Sequence, residues 1–153
     1  RVEHAEILTG DLVERLAASP LVVSAQPNFH RWAAPGGLYD ERLGERRALT
    51  NRFRDLADAG ARLAFGSDCM PLSPLYGVQQ AVTAPEPSQR LTVDEALRAY
   101  THGGAYAGFD EDRMGTVTPG SVADFAVLSA SPWDVPDGDI SDITVSLTSV
   151  TAR

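Results

Sequence analysis

The chain has 153 residues, of which 43% are hydrophobic and 22% charged, a composition that can bury one sizeable core and excludes intrinsic disorder. Its 13 basic residues, all arginine, are outnumbered by 21 acidic ones, and the net charge of -8 makes nucleic acid a poor partner. Cys69 is the single cysteine, and no signal-peptide pattern or apolar run of about 20 residues occurs, so the sequence predicts a cytoplasmic protein with no disulfide and no membrane segment.

Strand-like and helical patterns alternate along the first part of the chain. Short apolar, partly β-branched runs predict strands, and apolar residues at helical spacing predict helices between them. The predicted elements are a strand over 1–4, a helix over 11–18 with Thr9 as N-cap, a strand over 21–25, a helix over 47–59 and a strand over 61–65. This alternation implies parallel strands joined by helical crossovers.

Two long segments, 28–46 and 69–90, interrupt this alternation. Both carry several prolines or glycines and are predicted to be irregular loops, a type of segment that is usually functional or disordered. After the second loop, Thr92 and Glu95 have the spacing of a capping box. A helix is therefore predicted to begin at Thr92 and to end at Gly103 or one turn later.

The sequence pattern changes after Phe109. From there on, β-type segments are separated by proline and glycine, with no helical pattern between them. The predicted segments are a short strand and turn over 115–120, a strand over 123–128 and a strand over 143–150. We place a domain boundary near Asp112, which divides the chain into 1–112 and 113–153.

Polar residues follow each of the three predicted parallel strands. Glu3 and His4 end the first, Gln26 follows the second, and Gly-Ser-Asp ends the third at Asp68. In a parallel β/α barrel the active site forms at these carboxyl ends. Taken singly, His4 is more often a hydrogen-bonded structural histidine and Asp68 a turn cap, but their joint occurrence at two strand ends favours a metal site.

Five segments, in this order, resemble the C-terminal portion of amidohydrolase family 3, the YtcJ-like metal-dependent hydrolases. They are RVEHAE (1–6), QPNF (26–29), GSD (66–68), LTVDEALRAYT (91–101) and GTVTPGSVADFAVL (115–128). The resemblance implies an α/β fold consisting of strands six to eight of a TIM-type (β/α)8 barrel followed by part of a small β-sandwich.

The resemblance also implies a ligand set and an activity. Strand six would end at His4, a metal ligand, and strand eight at Asp68, which binds metal and transfers the proton. The implied reaction is hydrolysis of a non-peptide C–N bond, in an amide, carbamate or cyclic amide, with a divalent cation such as zinc as cofactor. The family's remaining ligands belong to strands one, four and five and have no counterpart in this sequence.

The chemistry explains why a histidine and an aspartate are required. A bound Zn²⁺ polarises a carbonyl group and lowers the pKa of water from about 15.7 to roughly 7. A neighbouring aspartate can then accept the proton of the attacking water and deliver it to the leaving nitrogen. Asp68 suits this role if its carboxylate faces the barrel mouth.

The two predicted loops carry three candidate substrate-binding residues. His30 and Trp32 lie in the first loop and Tyr76 in the second. A solvated loop histidine is the competing interpretation of His30. Trp32 and Tyr76 can line a substrate pocket or pack the loops onto the body of the protein.

Two further residues are assigned structural roles. His102 is placed near the end of the helix that begins at Thr92, where a cation would favour the helix dipole. Cys69 has no base placed beside it by the sequence and is interpreted as a small buried thiol.

Two other functional classes remain open. A non-catalytic or regulatory protein could keep the fold without metal, and an independent α/β binding domain could have an open sheet. The binding domain is disfavoured because no glycine-rich phosphate loop follows any strand.

Arg1 in place of an initiator methionine suggests a chain cut from a longer one. We therefore expect a missing N-terminal segment, or self-association through unpaired strand edges. The expected substrate is a small molecule.

Overall fold

The computed structural model describes residues 1–151, which form a three-stranded sheet with surrounding helices and a separate two-stranded sheet. The strands are β1 (Val2–Glu3), β2 (Val22–Ala25), β3 (Arg62–Phe65), β4 (Phe125–Leu128) and β5 (Val145–Ser149). The α-helices are α1 (Gly10–Ala17), α2 (His30–Ala33), α3 (Leu38–Leu43), α4 (Phe53–Asp58), α5 (Pro74–Val82), α6 (Val93–Tyr100) and α7 (His102–Ala107). Short 3-10 helices lie at Pro27–Phe29, Gly44–Leu49, Pro87–Gln89 and Asp137–Asp142.

The larger sheet has the order β1-β2-β3, and its strands are parallel. The register pairs Glu3 with Ser24 and Ala25 with Phe65, so the three strands end at nearly the same level. The parallel arrangement predicted from the alternating pattern is confirmed. Its consequence is that the residues following all three strands meet at one edge of the sheet.

The central strand anchors the hydrophobic core. Val23 and Ala25 of β2 are fully buried, and they belong to one cluster with Phe53 of α4, Phe65 of β3 and Val78 of α5. Because parallel strands are buried by their crossover helices, their sequences are mostly apolar rather than alternating. Three of the four residues of β2 fit this rule, since Val22, Val23 and Ala25 are buried and Ser24 is partly exposed.

The segment 28–46 is not an irregular loop. It begins within the 3-10 turn Pro27–Phe29 and continues through α2 and α3. The prediction was wrong because each helix has only four or six residues, too few to produce a helical period in the sequence. Tyr39 of α3 is buried, so this segment is packed onto the body of the protein.

The segment 69–90 was also wrongly predicted to lack regular structure. It contains α5, which begins at Pro74 after Ser73, whose hydroxyl accepts a hydrogen bond from the Tyr76 backbone N–H. Proline at the first position of a helix is favourable because its missing N–H would be unpaired there in any case. The serine-proline pair therefore starts a helix here.

The helix predicted over 47–59 begins only at Phe53. The residues before it form the 3-10 helix Gly44–Leu49 and then an extended connection, in which Thr50 bridges to Ile7 and Asn51 adopts a φ of 50°. This backbone pairing with the segment after β1 takes the hydrogen-bonding groups that an earlier helix start would have used.

The capping box predicted at Thr92 is present in full. The Thr92 hydroxyl accepts from the Glu95 N–H, and the Glu95 carboxylate accepts from the Thr92 N–H at 2.8 Å. Glu95 also accepts two hydrogen bonds from Arg54 of α4, and this guanidinium holds the pKa of Glu95 at about 2. The cap of α6 is thereby joined to the preceding helix.

The C-terminal part contains the antiparallel pair β4 and β5, close to the two strands predicted at 123–128 and 143–150. The third predicted strand, over 115–120, is absent from the described structure. Gly115 has a φ of 87° and packs against His102, and Gly120 has a φ of 96°. These left-handed conformations are incompatible with a strand, so the segment is a loop with a turn.

Helix α7 packs closely on the sheet, and two adjacent glycines within it provide a matched test. A Cβ on Gly103 would lie 2.1 Å from the Leu63 carbonyl oxygen, whereas a Cβ on Gly104 would meet nothing within 4 Å. We expect Gly103→Ala to destabilise the chain by about 1–3 kcal/mol through overpacking against backbone. Gly104→Ala should stabilise it by about 0.5–1 kcal/mol through helix propensity.

Urea unfolding of both variants beside the parent chain measures the difference. Equal effects of the two substitutions would contradict this packing of α7.

Within residues 1–151, no helix has the length and apolar character needed to cross a membrane.

Candidate metal site at the carboxyl edge of the sheet

His4 lies at the carboxyl end of β1, where its backbone N–H donates to the Ser24 carbonyl at 2.7 Å. Its side-chain Nδ1 is 2.9 Å from Oε1 of Gln26, the residue that follows β2. The imidazole stacks on the Phe29 ring with 6.1 Å between the centroids. Because the oxygen of Gln26 can only accept, Nδ1 is the donor of this hydrogen bond, and Nε2 is the ring nitrogen left to bind a metal ion.

Asp68 follows β3 at the same edge of the sheet. The Gly66 N–H donates to the Ala25 carbonyl at 3.0 Å, which extends the pairing of β3 with β2 up to the start of the loop. Asp68 is exposed, and its carboxylate has no hydrogen-bond or ion-pair partner among residues 1–151. Since β1 and β3 flank β2, the backbones of His4 and Asp68 are separated by two strand spacings, roughly 10 Å.

Both residues have strained backbones. His4 has a φ of 65° and Ala5 a φ of 50°, and on the other side of β2 Asp68 has a φ of 46° and Cys69 a φ of 65°. Positive φ costs free energy in residues other than glycine and persists where the surrounding structure imposes it, most often at functional sites. Left-handed pairs at both strand ends therefore single out this edge.

A third group beside His4 was not identified from the sequence. Glu6 is partly buried and accepts a hydrogen bond from the Tyr39 hydroxyl of α3, while its backbone carbonyl accepts from the Asn51 N–H at 3.2 Å. Burial raises the pKa of Glu6, and the hydrogen bond from Tyr39 opposes this rise. Glu6 thus ties the segment after β1 to the helices after β2, a contact between residues distant in sequence that no local pattern encodes.

The three candidate substrate residues lie in different environments. His30 is only 3% exposed, its Nδ1 is 2.8 Å from the Gln80 carbonyl oxygen, and its ring packs on Phe53. The interpretation of His30 as a solvated loop histidine is wrong, because the ring lies in the core, where burial lowers its pKa. Trp32 and Tyr76 are both half-buried, Trp32 against the aromatic residues of the first segment and Tyr76 on α5.

Of the two residues given structural roles, His102 lies two residues beyond Tyr100, the last residue of α6, close to the position predicted for it. It is also the first residue of α7, which follows a backbone break at Thr101. The prediction of a buried Cys69 is wrong, because Cys69 is exposed in the left-handed turn beside Asp68.

The donor set fits a divalent cation only in part. His4 offers Nε2 and Asp68 a carboxylate, both common zinc ligands. A catalytic zinc site ordinarily has about three protein ligands, and residues 1–151 contain no cluster of three or more His, Cys, Asp or Glu side chains suited to hold a metal ion. The two residues can supply part of a metal site and need at least one further donor.

Two cavities occur elsewhere in the structure. One of about 380 Å³ is lined by Val22 and Arg62, the first residues of β2 and β3, and therefore lies at the end of the strands opposite His4 and Asp68. The other, of about 1120 Å³, separates α5–α7 from the β4–β5 pair. Neither is lined by His4 or Asp68, so a shared cavity between these two residues stays a prediction.

Comparisons with known proteins show the family of this chain. A model of the amidohydrolase family matches residues 1–151. The chain belongs to amidohydrolase family 3. It is 32% identical to N-substituted formamide deformylase of Arthrobacter pascens, a match covering 98% of the chain and 29% of that protein. It is 37% identical to imidazolonepropionase of Saccharopolyspora erythraea, with 84% of the chain and 31% of that protein covered.

The fold is shared with a solved metal-dependent hydrolase. The structure of an uncharacterized metal-dependent hydrolase from Pyrococcus horikoshii OT3 superposes with a TM-score of 0.76 at 31% identity, over 90% of this chain and 30% of that one. The α/β architecture of this family 3 chain is therefore that of the amidohydrolases. The chain spans about 30% of the length of the relatives described.

Proposed function

We propose that this chain is the C-terminal part of a metal-dependent hydrolase that cleaves a non-peptide C–N bond in an amide, carbamate or cyclic amide. In this assignment β1, β2 and β3 are the sixth, seventh and eighth strands of a (β/α)8 barrel. Residues 113–153 contribute part of a small β-sandwich through β4 and β5. The names of the relatives, a formamide deformylase and an imidazolonepropionase, support this substrate class.

One observation carries the proposal. His4 and Asp68 occupy the carboxyl ends of two parallel strands on either side of β2, each in a left-handed backbone conformation. In β/α barrels this edge holds the catalytic groups. The Asp68 carboxylate has no hydrogen-bond partner among residues 1–151, and Gln26 holds the His4 ring through the Nδ1 hydrogen bond.

The roles of the residues follow from their chemistry. His4 Nε2 and the Asp68 carboxylate would hold the divalent cation, for which we propose zinc, which supplies a Lewis acid and lowers the pKa of water. Asp68 Oδ accepts the proton of the attacking water and returns it to the departing nitrogen. Gln26 keeps the His4 ring oriented by accepting the Nδ1 hydrogen bond.

Substrate contacts are proposed for the two half-buried aromatic residues. Trp32 and Tyr76 belong to the segments that follow β2 and β3, and both segments begin at the edge occupied by His4 and Asp68. An apolar wall with a few polar groups is the usual lining of a small-molecule site. His30 lies in the core against Phe53, so the direct substrate contact predicted for it is not part of this proposal.

The remaining metal ligands are proposed to come from residues outside this chain. Two donors alone bind zinc weakly, so we expect the isolated 153-residue chain to hold little metal and to hydrolyse amides poorly. Strands β1 and β3 also have an outer edge that further strands can pair with. The complete protein, encoded by the full reading frame, is therefore the proper subject for activity measurements.

The test uses the complete protein with an N-formyl amine and a cyclic amide as substrates. We expect hydrolysis that stops after removal of metal by a chelator and returns with Zn²⁺. His4→Ala should lose most of the bound zinc and of the activity, whereas His102→Ala, at the opposite end of the strands, should retain both. Hydrolysis that survives the chelator, or equal loss in the two histidine variants, would refute the proposed function. A complete protein that neither binds zinc nor hydrolyses either substrate would favour the non-catalytic alternative.

A further inference from the structure

We propose that Asn28, held by Tyr100, is a positioning residue that fixes the Asp68 loop for metal binding. This inference rests on the proposed function, since it assigns a task to residues that would touch neither metal nor substrate. Asn28 lies in the 3-10 turn directly after β2, and Tyr100 is the last residue of α6.

The side-chain amide of Asn28 joins two strand ends. Asn28 is fully buried, and its Nδ2 donates to the Pro71 carbonyl at 2.9 Å, across 43 positions in the sequence. Pro71 is the third residue after Asp68. A buried amide donor left without this acceptor would cost free energy, so the bond holds the loop to the end of β2.

Tyr100 fixes the other side of the same amide. Its hydroxyl donates to Asn28 Oδ1 at 3.3 Å, and its ring packs edge-on against Phe65 of β3 at 5.7 Å between centroids. Burial raises the pKa of Tyr100, so the phenol stays protonated and remains a donor at any physiological pH. With Oδ1 occupied by Tyr100, Nδ2 points to Pro71.

Gly77 of α5 provides the space for this pair. A Cβ at position 77 would lie 1.8 Å from Tyr100 Oη and 2.7 Å from Asn28 Oδ1. Glycine inside a helix costs about 1 kcal/mol relative to alanine. The helix therefore carries a costly residue at the one place where any side chain would separate the tyrosine from the asparagine.

The loop that carries Asp68 is therefore hydrogen-bonded at both of its ends, to β2 and to the turn that follows β2. Gly66 N–H bonds to the Ala25 carbonyl of β2, and the Pro71 carbonyl bonds to Asn28 just beyond β2. Between these two points the chain passes through the left-handed conformations of Asp68 and Cys69. The strained turn that presents the Asp68 carboxylate persists because its ends cannot separate.

The same short segment also orients the other proposed ligand. Gln26 receives the His4 Nδ1 hydrogen bond, and Phe29 stacks on the His4 ring. Residues 26–29 thus contact both the His4 ring and the loop that carries Asp68. A polar residue behind a ligand commonly changes metal affinity by about 10–100-fold when removed.

The experiment compares Tyr100→Phe with Tyr106→Phe in the complete protein. Both changes remove one hydroxyl, but Tyr106 donates no bond to this segment and instead receives one from Arg62 at the opposite end of β3. We expect Tyr100→Phe to raise the amide hydrogen-exchange rate of residues 67–72 several-fold and to weaken Co²⁺ binding about ten-fold, with a changed visible absorption spectrum of the bound cobalt. Asn28→Ala should act in the same direction and more strongly, whereas Tyr106→Phe should leave all three readouts unchanged.

The outcomes test the positioning role of Asn28 and Tyr100 separately from the proposed function. Unchanged exchange at 67–72 and unchanged cobalt affinity in a folded Tyr100→Phe protein would overturn the positioning role. A purely structural role predicts a lower melting temperature for Tyr100→Phe with the cobalt affinity and spectrum of the parent, and this outcome also overturns it. If the parent protein itself takes up no Co²⁺ through His4, the proposed function fails, while the exchange rates still report whether Asn28 restrains the loop.

Discussion

Asp68→Asn is expected to lower the turnover number of the complete protein in the proposed amide hydrolysis by roughly 10²–10⁴-fold, the range typical of losing a general acid–base group. The amide keeps the size of the carboxylate and one oxygen donor, but it cannot accept a proton from water. Turnover should therefore fall far more than substrate affinity. The measurement is kcat and KM for the parent and the variant with an N-formyl amine.

Because Asp68 is exposed, this substitution should lower turnover without changing the stability of the protein. Its carboxylate has no partner among residues 1–151, so its replacement breaks no described contact and should shift the stability by no more than about 0.5 kcal/mol. Asp134→Asn, at another exposed aspartate, is the matched control and should leave kcat unchanged. An Asp68→Asn enzyme that keeps more than a tenth of the parent turnover would remove Asp68 from the proton-transfer role.

The elements that were predicted correctly are those whose signals are local. The capping box of Thr92 and Glu95 is encoded within four residues, and the strand predicted over 21–25 contains the whole of β2. The ends of these strands then follow, so the placement of His4 and Asp68 at one edge could be predicted as well. Their exposure and left-handed backbones could not, because they depend on the loops that follow.

The errors arise where distant residues decide the structure. His30 is buried because α4 and α5 enclose it, and nothing in the sequence around position 30 encodes those contacts. The contact between Glu6 and Tyr39 and the contact of Asn28 with Pro71 likewise join residues more than 30 positions apart. Helix α5 had a local signal, Ser73 followed by Pro74, but the prolines nearby were interpreted as helix breakers.

Phe53→Ala is expected to destabilise the 153-residue chain by about 3–5 kcal/mol, the cost of truncating a buried phenylalanine. Phe53 begins α4 and is 2% exposed. The centroid of its ring lies 5.1 Å from that of His30 and 5.2 Å from that of Phe65, and the Phe65 ring in turn packs on Tyr100. Removing the ring breaks this line of contacts at its centre and leaves a cavity that the backbone of the parallel sheet cannot close.

The expected loss is large relative to the stability of a domain of this size, which is about 5–15 kcal/mol. Guanidinium unfolding should show a lower midpoint, and Phe53→Leu, which keeps most of the volume, should recover more than half of the loss. Phe109→Ala is the matched control, because Phe109 is 91% exposed in this structure and its truncation should change the stability by no more than about 0.5 kcal/mol. Equal effects of Phe53→Ala and Phe109→Ala would show that Phe53 is not at the centre of the core. The packing of His30 against Phe53 would then not stabilise the chain.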